Sequence, residues 1–255
     1  MFPRLRSTID LEKPRMDFGQ KFFIYCERGS DPSFWAEPLN AVTNAAFIIA
    51  AAVATRDYFA MPPERRRVSA LVLIAITYVI GVGSFLFHTY ATRWAQLADV
   101  IPIATFMLVY LAVLLRRFFR LSWIGIAVGL ALFVLAFQYA GTIQCAQGEL
   151  LPITARKGAR CLNGTAQYLP AFLALVLTTI GLAIVRHPAW KTLAAAAGVF
   201  LVSMTFRTLD LELCELTAYG GHVRGTHFLW HSLNALTLYL LLRAMIRYGA
   251  PRPAE

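Results

Sequence analysis

Seven runs of this chain, at 38–56, 68–87, 97–115, 121–139, 165–185, 190–209 and 227–246, are apolar over nearly their whole length. Each is close to the roughly 20 residues that a helix needs to cross a hydrocarbon core. No water reaches that core, so a spanning backbone must close its hydrogen bonds on itself, and the α-helix does this within one segment. The pattern predicts an all-α membrane protein, a bundle of seven transmembrane helices. Composition agrees: 58% of residues are hydrophobic, 15% are charged and the mean hydropathy is +0.58, too apolar for an ordinary soluble domain. Residues 1–37 read as an extramembrane segment, 38–246 as the helical domain and 247–255 as a short tail. The first segment has neither a long apolar core nor a small-residue cleavage site, so no removable signal peptide is expected. No internal repeat or long linker divides the chain.

The formal net charge of +10 raises the question of a nucleic-acid partner, and the placement of the charge argues against one. Arg56, Arg65, Arg66, Arg67, Arg116, Arg117, Arg120, Arg186, Lys191, Arg243, Arg247 and Arg252 all fall in connections or ends on one side of the predicted bundle. The opposite short loops hold Arg93 and Arg224, with Arg207 at a helix end. Six basic and six acidic residues balance in the N-terminal segment. The positive-inside rule then predicts a cytoplasmic C-terminus and an N-terminus outside. Cys26, Cys145, Cys161 and Cys214 fall on the predicted outer face, where disulfides can form. Counting leaves three pairings open, and four free thiols as well. A Cys145–Cys161 bridge would close the long connection at 140–164 into a lid.

Ionisable groups inside spans are costly unless paired or functional, so the few present carry the most information. His88 ends the second run in GSFLFHTY, Asp99 opens the third in QLADVIP, and His227 and His231 open the seventh in GTHFLWHSLNALTLY. Threading the chain back and forth places all four at the outer ends of their helices, at a common depth. His227 and His231, four apart, share one helix face. Three neutral imidazoles with one open position form a catalytic zinc arrangement in which bound water has a pKa near 7. His88, His227 and His231 are the predicted ligands. Ser84, one turn before His88, is placed to hydrogen-bond an oxyanion or orient water, and Asp99 to act as general base or to brace a ligand. An H-x-x-x-H pair alone also fits hydrogen-bonded interfacial histidines; the third histidine and the aspartate at matched depth favour a metal. His222 in YGGHVRG and His187 in a turn read as solvated, and Arg207 with Asp210 as a local i,i+3 ion pair. Pro102 and Pro170 read as near the starts of their helices, where a missing amide hydrogen costs little.

The ordered set Ser84-x-x-x-His88, Asp99, then His227-x-x-x-His231 with Trp230 just before the last histidine resembles the alkaline ceramidases, within the seven-helix hydrolase superfamily that includes the adiponectin receptors. The segment YCERGSDPSFWAEPLNAVTN is similar to that family's opening segment, WCE followed about eleven residues later by AE-x-x-N. The resemblance covers about residues 24 to 245. It implies a zinc-dependent amidase cleaving ceramide-like N-acyl lipids to a sphingoid base and a fatty acid, and a Cys26–Cys214 disulfide tying the tail to the loop before the last helix. The family's calcium site maps to Glu27 and Glu37 but meets Ile24 where the family has aspartate and Gly29 where it has asparagine, although a Tyr25 carbonyl could contribute. Ca²⁺ wants six to eight oxygens.

The expected function is therefore an intramembrane hydrolase with Zn²⁺, acting near the outer face on a lipid drawn from the bilayer, with no nucleic-acid partner. Eighteen Phe and ten Tyr supply walls for an apolar cavity. The rival is a seven-helix lipid-binding receptor with a structural zinc. Ser84 and Asp99 favour the enzyme, because a structural zinc site is usually closed by a fourth ligand. A transporter is disfavoured, since no ionisable track crosses the bilayer.

Overall fold

The computed structural model describes residues 17–144 and 161–249. Among these residues eight α-helices, with a 3₁₀ stretch at Cys161–Tyr168, make up seven spans long and apolar enough to cross a membrane. They are α1 (Pro38–Thr43) and α2 (Ala45–Ala60), α3 (Val68–Tyr90), α4 (Arg93–Arg117), α5 (Trp123–Thr142), α6 (Leu169–Ile184), α7 (Trp190–Leu209) and α8 (His227–Tyr248).

The first apolar run is thus two helices. At the joint the Asn44 amide donates to the Ala41 carbonyl at 3.3 Å, a tightened i−3 bond, while the Asn44 side chain donates to the Asn40 carbonyl at 2.7 Å. Asparagine competes for backbone partners in this way, and a hydropathy pattern does not register it. The third span starts at Arg93 rather than near 97, because the polar turn around Gln96 is helical too. Pro102 consequently lies inside α4 and not near its start, which corrects the sequence expectation. It cannot donate to the carbonyl of Ala98, four residues back. Pro170 does sit in the first turn of α6.

In lipid, helices gain little from hiding apolar surface from one another, so packing depends on close approach, and small residues allow it. Ala51 and Ala54 on α2, Ala70 on α3, Ala196 on α7 and Ala244 on α8 are buried at or below 2% exposure. The largest buried side chains, among them Phe47, Leu73, Leu193 and Leu242, fill the space between. The most buried span is α8, packed against α7, α2 and α3. At the other extreme, Ile124, Val128, Leu132 and Leu135 on α5 form an exposed apolar stripe at helical spacing, as expected of a face turned to lipid.

One end of the bundle gathers arginines: Arg65, Arg67, Arg116, Arg117, Arg186 and Arg247 line a common recess. Two of them cap the end of α8: Arg65 donates to the Arg247 carbonyl and Arg117 to the Gly249 carbonyl, which also suits the negative end of the helix dipole. The other end carries the N-terminal segment. Its amides and carbonyls join the α3–α4 turn, with Phe22 donating to the Ala91 carbonyl and Arg93 to the Gln20 carbonyl. Ala91 turns the chain in the left-handed region, at φ 51°. A Cys26–Cys214 disulfide fixes the segment to the loop before α8, the pairing that the resemblance implied. No described cysteine is free; Cys145, the expected partner of Cys161, lies outside the described residues.

Candidate metal centre

Two helix ends meet beneath that segment. His88 comes from the last turn of α3, and His227 and His231 from the first two turns of α8. All three are buried at 1–2% exposure, and one nitrogen from each lies within 4.8 Å of the others. For Zn–N bonds of about 2.0–2.1 Å, tetrahedral ligands sit roughly 3.4 Å apart, so a small inward adjustment closes the shell. Among the described residues no other His, Cys, Asp or Glu joins the group.

Neighbouring hydrogen bonds set the tautomers. His88 Nδ1 lies 2.5 Å from Glu37 Oε2; an ionised carboxylate only accepts, so Nδ1 carries the proton and Nε2 keeps its lone pair. The Thr43 hydroxyl spends its proton on the Leu39 and Asn40 carbonyls, leaving its oxygen to accept from His231 Nδ1 at 3.1 Å. His227 Nδ1 is buried with no hydrogen-bond partner. A buried orphan nitrogen beside two imidazoles whose free lone pairs are Nε2 fits a divalent metal that accepts nitrogen. Tyr25 stacks on the His227 ring at 3.9 Å between centroids and tilts over His88 at 4.9 Å, covering the group from the tail side. Burial pushes the Tyr25 pKa up, so the phenol stays neutral.

Ser84 and Asp99 are both buried and lie close enough for the serine hydroxyl to favour the ionised carboxylate. Their meeting depends on a close helix contact. The Ala98 carbonyl, which Pro102 cannot cap, points at Gly83 on α3; a Cβ built there would lie 2.7 Å from the Ala98 carbonyl carbon and 3.2 Å from the Asp99 amide nitrogen. Only glycine admits that approach. One Asp99 carboxylate oxygen, Oδ1, is buried with no hydrogen-bond partner. It is available to a substrate or water.

Two expectations need correction. Arg207 and Asp210 do not pair. Arg207 donates to the Asn163 carbonyl and the Thr165 hydroxyl, and lies over the rings of Tyr168 and Trp230. Asp210 instead accepts from the amides of Cys26, Thr226 and His227, binding the tail, the loop and the first histidine of α8 into one unit. Burial raises its pKa, and those three donors pull against the rise. His187 is not solvated: its ring is half-buried between Phe118 and Tyr248, whereas His222 is exposed as expected.

Sequence reasoning also missed residues that hold the three histidines in place: Thr43, Tyr25, Arg28 and Asp210. The short motif around Cys26 and Glu37 was a usable signal for some of them, but its role towards His88 is set across 51 residues of chain. Glu27 and Glu37, named for calcium, are both engaged. Glu27 accepts from the Leu39 and Asn40 amides at 2.8 Å each. Glu37 accepts from Arg28, Asn40 and His88. Burial works to raise the Glu37 pKa, but His88 and Arg28 outweigh it and hold the value below the ordinary range.

One helical turn inward from these residues begins an apolar cavity. Ile80, Ile103 and Asn234 line it, each three or four residues from Ser84, Asp99 and His231, and Phe106, Tyr110 and Leu175 continue the wall. Its volume, as the space open to the centre of a water-sized sphere, is about 90 Å³. A search of the curated proteins finds no match to the chain. Residues 25–250 match the family model described as Ceramidase, and a match over that much of the sequence means that the protein belongs to the ceramidase family, hydrolases acting on amide bonds.

Proposed function

We propose that this protein is a zinc-dependent intramembrane amidase that hydrolyses ceramide or a closely related N-acyl lipid to an amine and a free fatty acid. The observation that carries the reading is the conjunction of three buried convergent imidazoles with the Ser84–Asp99 pair at the head of an apolar cavity. A lipid amide needs both: a polar reacting centre and an apolar sleeve for its chains.

His88, His227 and His231 would hold the metal. Zinc, when bound, supplies a Lewis acid for the amide carbonyl and lowers the pKa of water to about 7. Asp99, through its unpartnered Oδ1, takes the proton of the attacking water and delivers it to the leaving amine. While Asp99 is ionised, its charge would draw the nearby Ser84 hydroxyl towards it. Once Asp99 is protonated, Ser84 can turn its hydrogen to the developing oxyanion. The Tyr25 ring and the disulfide-bound tail limit water entry. The acyl chain would run down the cavity past Phe106 and Leu175.

The arginine-rich end belongs in the cytoplasm on this reading, with the N-terminus, tail and metal centre at the outer face. Residues 1–37 form the extramembrane segment, 38–246 the hydrolase domain and 247–255 the cytoplasmic tail. Incubation of purified protein with a panel of N-acyl lipids, with and without a chelator, followed by mass spectrometry of released fatty acid and amine, tests the function. Release from a ceramide-type amide that stops with chelation and returns with zinc is expected. No release from any amide in the panel would refute it.

A further inference from the structure

The tail carries a buried cation of its own. The Arg28 side chain is fully buried, and every partner of its guanidinium is an oxygen. Nε donates to Glu37 Oε1 at 2.5 Å. Nη1 donates to the carbonyls of Asp31 at 3.1 Å and Ser33 at 2.9 Å. Nη2 donates to the carbonyls of His88 at 2.9 Å and Thr89 at 3.3 Å. A carboxylate and four carbonyl oxygens gathered around one positive group are the kind of oxygen-rich surroundings that a hard cation such as calcium also seeks. The last two carbonyls also lie in the final turn of α3, the negative end of its dipole. Here that cage is filled from within the chain.

The two carboxylates at the expected calcium positions, Glu27 and Glu37, are already engaged. Both Glu27 oxygens are held by backbone amides, and Glu37 Oε2 already serves His88 and Asn40. Ile24 and Gly29 offer no side-chain oxygen. Calcium therefore does not fit this tail.

We propose that Arg28 is a built-in replacement for a tail cation: a positioning residue that clamps Glu37 on His88 Nδ1, so that the support of the metal centre is independent of calcium. The fork geometry matters, because one planar group spans Glu37 on one side and the backbone of His88 itself on the other. Pulling on both ends fixes the ring that Glu37 orients. An acceptor on the outer nitrogen fixes a histidine ligand and raises its basicity, and loss of such a partner typically costs about 10- to 100-fold in metal affinity. The second half of the proposal rests on the zinc reading above, while the first half does not.

The experiment uses the full-length protein in detergent and has two arms. In the first, calcium is titrated by calorimetry and by thermal unfolding against a chelator selective for calcium. The expected result is neither heat nor a shift in Tm up to about 1 mM, the weak end of protein calcium sites. Saturable binding tighter than that, lost in Glu37→Gln, overturns the proposal without any variant of Arg28. In the second, zinc affinity is measured by chelator competition for wild type, Arg28→Lys and Arg28→Gln. Arg28→Gln should bind zinc about 10- to 100-fold more weakly, and Arg28→Lys, which keeps the charge and loses the fork, should fall between it and wild type. Folded Arg28→Gln with wild-type zinc affinity overturns the positioning role. If Arg28→Gln does not fold, Arg28→Lys with wild-type affinity does the same. A wild type whose zinc binding is unchanged by His231→Ala instead overturns the zinc site, and the calcium arm still decides whether Arg28 has replaced the ion.

Discussion

Replacing Gly83 by alanine will part α3 from α4 where Asp99 meets Ser84. The new Cβ would lie 2.7 Å from the Ala98 carbonyl carbon, and carbon atoms rest at about 3.5–4.0 Å, so the helices must separate by about 1 Å. The opposing atoms are backbone and cannot swing aside. Overpacking of this kind costs about 1–3 kcal/mol, while exchanging glycine for alanine in a helix returns about 1 kcal/mol. Net destabilisation should therefore be small, between roughly zero and 2 kcal/mol. The effect on hydrolysis should be far larger, because a misplacement of about 1 Å in a catalytic group can cost roughly 10²-fold. Zinc should remain, since none of the three histidines comes from α4. The assay combines Tm, zinc content and fatty-acid release. Gly198→Ala, whose Cβ meets nothing within 4 Å, serves as the control and should be neutral or slightly stabilising with full activity. Gly83→Ala with full turnover would refute the argument that this contact places Asp99, and loss of zinc along with turnover would show that the damage lies in the ligand shell.

Asp99→Asn keeps shape and hydrogen-bonding capacity but cannot accept a proton; zinc should stay while turnover falls by about 10² or more, and a drop of roughly 10- to 100-fold in metal affinity would make Asp99 a brace. His231→Ala should remove most of the zinc and all hydrolysis, as read by metal analysis; full occupancy in a chain lacking both His227 and His231 would sink the ligand assignment. Cys214→Ser opens the disulfide that holds the tail over the centre and should lower stability by about 2–5 kcal/mol. Because Tyr25 and Glu37 lie on that tail, its zinc affinity should drop too, and an unchanged affinity would mean that the tail holds its place through Asp210 and the other hydrogen bonds alone.

Much of this protein is legible in one dimension. The bilayer demands about 20 apolar residues per span and leaves the backbone one way to satisfy itself, so seven spans follow from hydropathy with ends off by a few residues. The same intolerance of charge makes His88, Asp99, His227 and His231 conspicuous, and strict alternation across the membrane puts them at one level. What sequence could not decide are contacts between groups far apart in the chain. Arg207 and Asp210 look like a pair at i,i+3, yet each finds better partners across space: Asp210 meets three amides and Arg207 two rings and a carbonyl. Pro102 and Gly83 read as incidental until two helices cross and a freed carbonyl meets a missing side chain. Arg28 sits in a polar tail like any solvated cation, and only the fold gathers five oxygens around it. Hydropathy is a property of a segment and survives in the string. A hydrogen bond depends on distance and direction to within fractions of an ångström, and those are set only when the helices pack.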